Sequence, residues 1–316
     1  TAVSGIWQTV WLEPVPLDYI RLFQLTPDID AGELAIRIEA GTSGEAGRRL
    51  DYEATALENG VPVGSGSCGE DGEIRLKLPG PKLWSPASPF LYDLEIVARA
   101  DGRPVDRVKS YFGMRLFSVE AGSDGVKRLC LNHEPLFLHG VLDQGYWPDG
   151  LYTAPTDEAL AYDVEMTKRL GFNMTRKHIK VEPARWYYHC DRLGVIVWQD
   201  MVSGGGPWSL WRHVVVPHFA SGFKVGDGKY RTFGRENPDN RAQYMRELEE
   251  MIGALRNVPC IGMWVPFNEA WGQFDAAETA RRVQALDPTR PVDHASGWYD
   301  QEVGEIKSVH VYFRKL

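Results

Sequence analysis

Hydrophobic and polar residues alternate along the first 120 positions, which is the pattern of strands that bury one face. The alternation is clear at residues 34–38 (Leu-Ala-Ile-Arg-Ile) and recurs further along the chain. Turn sequences rich in Asp, Asn and Gly separate these stretches, for example at residues 58–60 and 100–102. Short strands at this spacing predict an antiparallel β-sandwich over residues 17–119.

A separate strand-like run precedes the sandwich. Residues 6–12 (Ile-Trp-Gln-Thr-Val-Trp-Leu) are mostly apolar or β-prone, and two prolines follow within residues 13–16. We interpret residues 1–16 as the last strand of an upstream domain.

After about residue 125 short apolar strands alternate with helical stretches. Thr156 is placed to cap one helix, Pro183 begins a second that ends at Gly194, and the clearest helix lies between Asn237 and Asn257. The predicted strands start near residues 137, 173, 195, 261, 291 and 308. Six strands with helical crossovers over residues 120–316 fit a (β/α)8 barrel that stops two strands short.

Composition and charge narrow the function. The 316 residues are enough for two domains, and 43% hydrophobic with 25% charged residues is ordinary for a globular protein. A formal net charge of −8 without a basic run argues against a nucleic-acid partner. No apolar stretch approaches about 18 residues, so we predict no membrane span. The compartment is undetermined, with the cytoplasm slightly favoured, because no signal-peptide pattern opens the sequence.

The four cysteines do not form a motif. Cys68, Cys130, Cys190 and Cys260 are scattered without the spacing of metal ligands. We therefore expect free, buried thiols and no metal site.

The residues most suggestive of chemistry are Asn268 and Glu269, which follow the apolar run at residues 261–267. If this run is a barrel strand, its carboxyl end lies at the rim where such barrels carry their active sites. An amide beside a carboxylic acid supplies a hydrogen-bonding group and a proton-transfer group, which cleavage of a glycosidic bond requires. Most glutamates are exposed to solvent and have no catalytic role, so the Asn-Glu pair alone is weak evidence for an active site.

Motifs along the whole chain add to that evidence. They lie at residues 5–13 (Gly-Ile-Trp-Gln-Thr-Val-Trp-Leu-Glu), 83–92 (beginning Leu-Trp-Ser-Pro), 112–115 (Phe-Gly-Met-Arg), 170–176 (Leu-Gly-Phe-Asn-Met-Thr-Arg) and 264–269. Together they resemble glycoside hydrolase family 2, the family of β-galactosidases, β-glucuronidases and β-mannosidases. The resemblance implies a multidomain fold, an immunoglobulin-like β-sandwich followed by an incomplete (β/α)8 TIM barrel, with residues 1–16 ending a sugar-binding jelly roll.

The resemblance also implies a retaining β-glycosidase, β-galactosidase-like, that acts by double displacement. Glu269 matches the general acid/base, and Asn268 matches the amide that holds the 2-hydroxyl of the substrate. Arg176 matches an arginine that contacts the nucleophile, with an ordinary ion pair inside the barrel as the alternative. Tyr312 resembles a tyrosine near the nucleophile, with a core aromatic as the alternative.

Further candidates for sugar binding follow the predicted strands. Asp143 belongs to a first-strand rim that departs from the family pattern, which leaves the substrate open. His178, Asp200 and His310 lie at other strand ends, where loop capping is the alternative. The sequence around Asp200 is closer to the mannosidase-like branch than to the metal-binding galactosidases, so we predict no magnesium requirement and no cofactor.

Aromatic rings near the rim form a third group of candidates. Trp147, Trp271 and Trp298 follow predicted strands, and their planes could pack on the apolar faces of sugars, with loop anchoring as the alternative. The glycine run at residues 204–206, followed by Pro207 and Trp208, suggests a mobile loop over the site.

The resemblance places the nucleophilic glutamate on a seventh barrel strand, and we assign no nucleophile within this chain. Since the chain lacks an initiator methionine and two strands, we interpret it as a fragment that is inactive alone. A catalytically inactive carbohydrate-binding scaffold, and β-glucuronidase or β-mannosidase specificity, stay open as alternatives. The expected partner is a β-linked saccharide or glycoside, and a homo-oligomer is left open.

Overall fold

The computed structural model describes residues 5–42, 49–206 and 226–311. Its first part contains seven strands, which are β1 (Asp18–Asp28), β2 (Glu33–Thr42), β3 (Asp51–Glu58), β4 (Val61–Cys68), β5 (Glu73–Lys77), β6 (Tyr92–Ala100) and β7 (Arg103–Phe112). One antiparallel sheet has the order β1-β2-β5 and the other has the order β4-β3-β6-β7.

The two sheets share one core, built from alternate residues of their strands. Leu34, Ile36 and Ile38 of β2 are buried in the same cluster as Leu94 and Ile96 of β6. Period-two burial leaves one face of each sheet in solvent and drives the two apolar faces together. This part of the chain is an immunoglobulin-like β-sandwich, as the alternation predicts.

The hairpins of the sandwich follow from their turn residues. Asn59 and Gly60 join β3 to β4 with φ of 51° and 81°, and Asp101 and Gly102 join β6 to β7 with φ of 50° and 73°. Two-residue turns with both φ values positive match the twist of the flanking strands and favour Asn-Gly and Asp-Gly pairs.

A small antiparallel sheet, absent from the predicted elements, follows the sandwich. It consists of β8 (Phe117–Ala121), β9 (Lys127–Leu131) and β10 (Glu134–Pro135), in the order β10-β9-β8. The domain boundary predicted at residues 119–120 falls inside β8, and the domain limits stay a prediction.

The second part is a parallel sheet with helical crossovers. Its strands are β11 (Gly140–Asp143), β12 (Met174–Lys177), β13 (Ile196–Asp200) and β14 (Ile261–Val265), hydrogen-bonded in chain order. The helices are α1 (Asp157–Arg169), α2 (Ala184–Leu193), α3 (Pro238–Leu255) and α4 (Ala276–Leu286). These βα units form part of a TIM barrel, which confirms the predicted fold class.

The helix ends lie where the capping residues predict. Thr156 Oγ1 accepts a hydrogen bond from the Ala159 amide at 3.2 Å and so satisfies a free amide at the start of α1. Gly194 ends α2 with φ of 72°, a conformation that glycine adopts without a steric penalty.

Four of the six predicted barrel strands are observed as strands in the described residues. The first strand starts at Gly140 rather than near 137, because the Leu136 amide donates to the Leu129 carbonyl of β9. At the fifth position the pairing is a single parallel bridge between Trp264 and Val292. Residues 308–311 form no strand.

The segment at the fifth strand position leaves the sheet directly after Val292 because of a local hydrogen bond. Asp293 Oδ1 accepts the Ser296 amide at 3.1 Å, which bends the chain out of the sheet direction. Ser308 Oγ donates to the same Asp293 oxygen at 2.9 Å, so the sixth segment is held by a side chain instead of a backbone ladder.

The strand predicted at residues 6–12 is also not observed. A strand needs a neighbour for its amides and carbonyls, and Ile6, Trp11 and Leu12 are 82%, 70% and 99% exposed. Trp7 packs edge-on against Tyr152, with ring centroids 5.0 Å apart. The assignment of residues 1–16 to an upstream domain stays a prediction.

Asp191, at the end of α2, connects the sandwich to the barrel. Its carboxylate accepts hydrogen bonds from Tyr111 Oη at 2.8 Å and from the Cys260 amide at 2.7 Å. Its carbonyl accepts from Trp84 Nε1 at 2.8 Å. Burial raises the pKa of Asp191 to about 6. The contact ties both domains to the beginning of β14.

Two expectations from composition concern membranes and thiols. Within the described ranges, no helix has both the length and the apolarity needed to cross a bilayer. All four cysteines are free; three are buried and Cys68 is half-buried.

Candidate functional site

The candidate acid lies just beyond the end of β14. Every residue of β14 is buried, and the burial continues through Phe267 and Asn268. The Phe267 ring stacks on Tyr244 of α3, with centroids 5.3 Å apart, and so fixes the chain where it leaves the sheet. The Glu269 side chain is 23% exposed, so a deeply buried strand delivers a carboxyl group to an accessible rim.

The amide beside the acid is held in one orientation. Arg176 on β12 donates from Nη2 to Asn268 Oδ1 at 2.8 Å. Asn268 Nδ2 therefore points the other way and donates to Glu269 Oε2 at 3.5 Å. An oriented amide with a donor at the rim can recognise a substrate hydroxyl.

Arg176 is itself fixed by Asp200, the last residue of β13. The guanidinium makes two parallel hydrogen bonds, from Nε to Asp200 Oδ1 and from Nη2 to Oδ2, both at 2.9 Å. Asp200 is fully buried, and burial raises its pKa to about 6 while the guanidinium acts in the opposite direction. The ion-pair alternative for Arg176 is thus realised, and the same guanidinium also reaches Asn268.

Two histidines flank the acid. His310 Nε2 lies 3.5 Å from Glu269 Oε1, while its Nδ1 is 2.7 Å from the Ser296 carbonyl and donates to it. His178 lies beside Asn268, and burial followed by the charge of Arg176 lowers its pKa, which favours a neutral ring.

Asp143 belongs to a neighbouring cluster. Its Oδ2 is 2.7 Å from Nζ of Lys177, which also contacts Glu182 Oε1 at 2.8 Å. The Asp143 carbonyl accepts the His178 amide at 2.9 Å, which links this cluster to the acid site. The sequence analysis did not single out Lys177, because it follows Arg176, which faces the candidate site. Two successive charged residues in a buried strand could have indicated that Lys177 has a buried partner on the other face.

The three tryptophans have different surroundings. Trp271 is half-buried and donates from Nε1 to the Gly206 carbonyl at 3.3 Å. Trp298 is 7% exposed and packs with Phe233, 5.8 Å from the His310 ring, so little of its face is open. Trp147 packs against the barrel core and pairs with Leu151.

The structure thus brings Arg176, His178, Asp200, Asn268 and Glu269 together, with His310, Trp298 and Trp271 around the acid. Tyr312 and the predicted loop at Pro207 and Trp208 lie outside the described residues. Among the described residues, no group of three or more His, Cys, Asp or Glu side chains is arranged to hold a metal ion.

Two models of one protein family match the sequence of this chain. The model described as "Glycosyl hydrolases family 2, TIM barrel domain" matches residues 124–315, and the one described as "Glycosyl hydrolases family 2" matches residues 19–115. The chain belongs to glycoside hydrolase family 2.

Among named relatives, the chain is similar to two β-galactosidases. It is 24% identical over 322 residues to that of Klebsiella pneumoniae (strain 342) and 24% identical over 299 residues to that of Streptococcus thermophilus. The alignments cover 96% and 92% of this chain but 28% and 27% of the relatives, so the chain spans little more than a quarter of their length.

Solved structures share the fold. An FMN-binding β-glucuronidase from Facaelibacterium prausnitzii L2-6 has a TM-score of 0.73 at 19% identity, over 95% of this chain and 45% of that one. A GH2 β-galacturonidase from Eisenbergiella tayi, bound to galacturonate, has a TM-score of 0.66 at 21% identity, over 88% of this chain and 46% of that one.

Proposed function

We propose that this chain carries the acid/base half of a retaining β-glycosidase, with Glu269 as the acid/base. The observation that supports this most is a half-buried carboxyl group at the end of β14, beside an amide clamped by Arg176. Carboxylic acids at the carboxyl ends of barrel strands are placed for chemistry on a bound ligand.

In the proposed reaction, Glu269 gives its proton to the leaving oxygen as the glycosidic bond breaks. A second carboxylate, about 5 Å away, attacks the anomeric carbon and forms a glycosyl ester. Water then attacks that ester, and Glu269 removes the proton of the water, which restores the acid. The nucleophile is assigned to no residue of this sequence.

The neighbouring side chains have proposed roles in positioning and binding. Asn268 donates to the 2-hydroxyl, and Arg176, itself braced by Asp200, holds that amide and orients the nucleophile. His310, whose Nε2 lies 3.5 Å from Glu269 Oε1 and whose Nδ1 donates to the Ser296 carbonyl, is proposed to help position the acid.

The remaining candidates are proposed to contact the sugar. His178 lies beside Asn268, and Asp143 lies on the adjacent strand. Trp271 lies two residues after Glu269, and Trp298 packs near His310, whereas Tyr312 and Trp147 rest on the sequence motifs. We propose a β-galactoside as substrate, because both named relatives are β-galactosidases. A β-glucuronide is the second candidate, since the structural neighbours include a β-glucuronidase.

The test is a panel of chromogenic β-glycosides assayed with the full-length enzyme and with its Glu269→Gln variant. We expect turnover of a β-galactoside, and a loss of about 10² to 10⁴ in the variant. Glu278→Gln, on the exposed face of α4, is a control that should retain activity. A loss of less than about tenfold in Glu269→Gln would refute the acid/base role.

A further inference from the structure

The backbone at the acid has an uncommon conformation. Glu269 and the residue after it, Ala270, have φ of 47° and 63°, in the left-handed region that side chains with a Cβ rarely occupy. Two such residues in succession persist only when the surrounding structure holds them. We call residues 269–272 the acid loop.

Tight backbone contacts hold the far end of the acid loop. The Gly272 amide donates to the Phe233 carbonyl at 3.1 Å, and the Gly206 amide donates to the Gly234 carbonyl at 2.6 Å. A Cβ on Gly272 would lie 2.2 Å from the Gly204 carbonyl oxygen, so these segments pack at a distance that glycine alone permits.

The buried side chain of Arg235 connects the acid loop to α3. Arg235, 3% exposed, donates from Nε to the Gly272 carbonyl at 2.8 Å and from Nη1 to Asn240 Oδ1 at 2.5 Å. Its guanidinium lies 4.5 Å from the centre of the Tyr244 ring, and that ring stacks on Phe267. Arg235 therefore contacts the end of the acid loop and Tyr244, the ring that stacks on Phe267 just before the acid.

We propose that Arg235 is a positioning residue for the acid/base step: it fixes the acid loop so that the Glu269 carboxyl group reaches the leaving oxygen. The inference rests on the proposed role of Glu269. The planar guanidinium of Arg235 donates to the Gly272 carbonyl from one nitrogen and to Asn240 from another. A lysine ammonium is a point donor and cannot reproduce that geometry. A misplacement of about 1 Å is enough to lower the rate about a hundredfold.

The test exploits the fact that good leaving groups depart without a proton. In the full-length enzyme, kcat/KM is measured for a 2,4-dinitrophenyl and for a phenyl β-glycoside of the preferred sugar, and their ratio is compared among variants. Unfolded protein lowers both values equally, so the ratio reports acid catalysis rather than stability. Arg235→Lys should raise the ratio about tenfold or more, in the direction of Glu269→Gln.

Arg290→Lys is the matched control. Arg290 is 2% exposed and donates from Nε to the Ile261 carbonyl at 2.6 Å, at the opposite end of β14, so this variant should keep the wild-type ratio. An unchanged ratio in Arg235→Lys, or an equal rise in Arg290→Lys, would overturn the inference. If Glu269→Gln leaves the ratio unchanged, the proposed function fails instead.

A milder variant serves if Arg235→Lys does not fold. Asn240 is exposed, and Asn240→Ala removes an acceptor of Arg235 without emptying the core. Its ratio should rise by roughly twofold to fivefold. A ratio equal to the wild-type value in a soluble Asn240→Ala enzyme would then count against the inference.

Discussion

Asp191 gives the most quantitative prediction about stability. Burial raises its pKa from an ordinary value of 3.8 to about 6, although Tyr111 and the Cys260 amide donate to the carboxylate. Between these two pKa values the folded state binds more protons than the unfolded state, so stability falls as pH rises from about 4 to about 6. At about 1.4 kcal/mol per pKa unit, the loss attributable to Asp191 is roughly 3 kcal/mol.

Asp191→Asn removes this titration while keeping a side chain of nearly the same shape. We expect the unfolding free energy of the variant, minus that of the wild type, to rise by roughly 3 kcal/mol between about pH 4 and pH 7. The measurement is urea denaturation followed by tryptophan fluorescence, with both proteins in the same buffers. A difference that stays constant across this range would refute the argument.

Tyr111→Phe provides a second arm of the same experiment. The Tyr111 hydroxyl stabilises the Asp191 carboxylate and lowers its pKa. Without that donor the pKa of Asp191 rises further, and the loss of stability should extend to higher pH. A shift of the window toward lower pH would contradict the geometry of this contact.

Three further predictions concern other parts of the molecule. Arg176→Lys loses the paired hydrogen bonds to Asp200 that hold the guanidinium in place for its single hydrogen bond to Asn268, and kcat/KM of the full-length enzyme should fall about tenfold to a hundredfold in the glycoside assay. Leu34→Ala should lower the unfolding free energy by about 2 to 5 kcal/mol in urea titrations, because Leu34 is fully buried in the sandwich core. Gly140→Ala places a Cβ 2.3 Å from the Met174 carbonyl oxygen, and thermal denaturation should show a loss of about 1 to 3 kcal/mol.

Local rules predicted much of the fold. Alternating burial at residues 34–38 and the positive φ values of Asn59-Gly60 and Asp101-Gly102 are decided by neighbours in sequence. The same holds for Thr156 at the start of α1 and Gly194 at the end of α2. These elements form as the sequence predicts because a few adjacent residues determine them.

The errors arose where distant contacts decide. Leu136 is apolar and looks like the start of a barrel strand, but its amide pairs with β9. The fifth strand is reduced to a bridge because Asp293 binds the Ser296 amide. The Asn-Glu pair was found from its position after an apolar strand, whereas Arg235 contacts Gly272 across 37 positions in sequence and carries no local signal.

The most direct test of the account is the product formed when azide replaces the acid/base. In the full-length enzyme, Glu269→Ala should hydrolyse a dinitrophenyl β-glycoside slowly. Azide should accelerate turnover, because it can enter the space left by the Glu269 side chain and attack the glycosyl-enzyme from that face of the sugar. Nuclear magnetic resonance of the product should identify a β-glycosyl azide, with the configuration of the substrate. An α-glycosyl azide would show that Glu269 is the nucleophile, and full activity without azide would show that it has no part in the reaction.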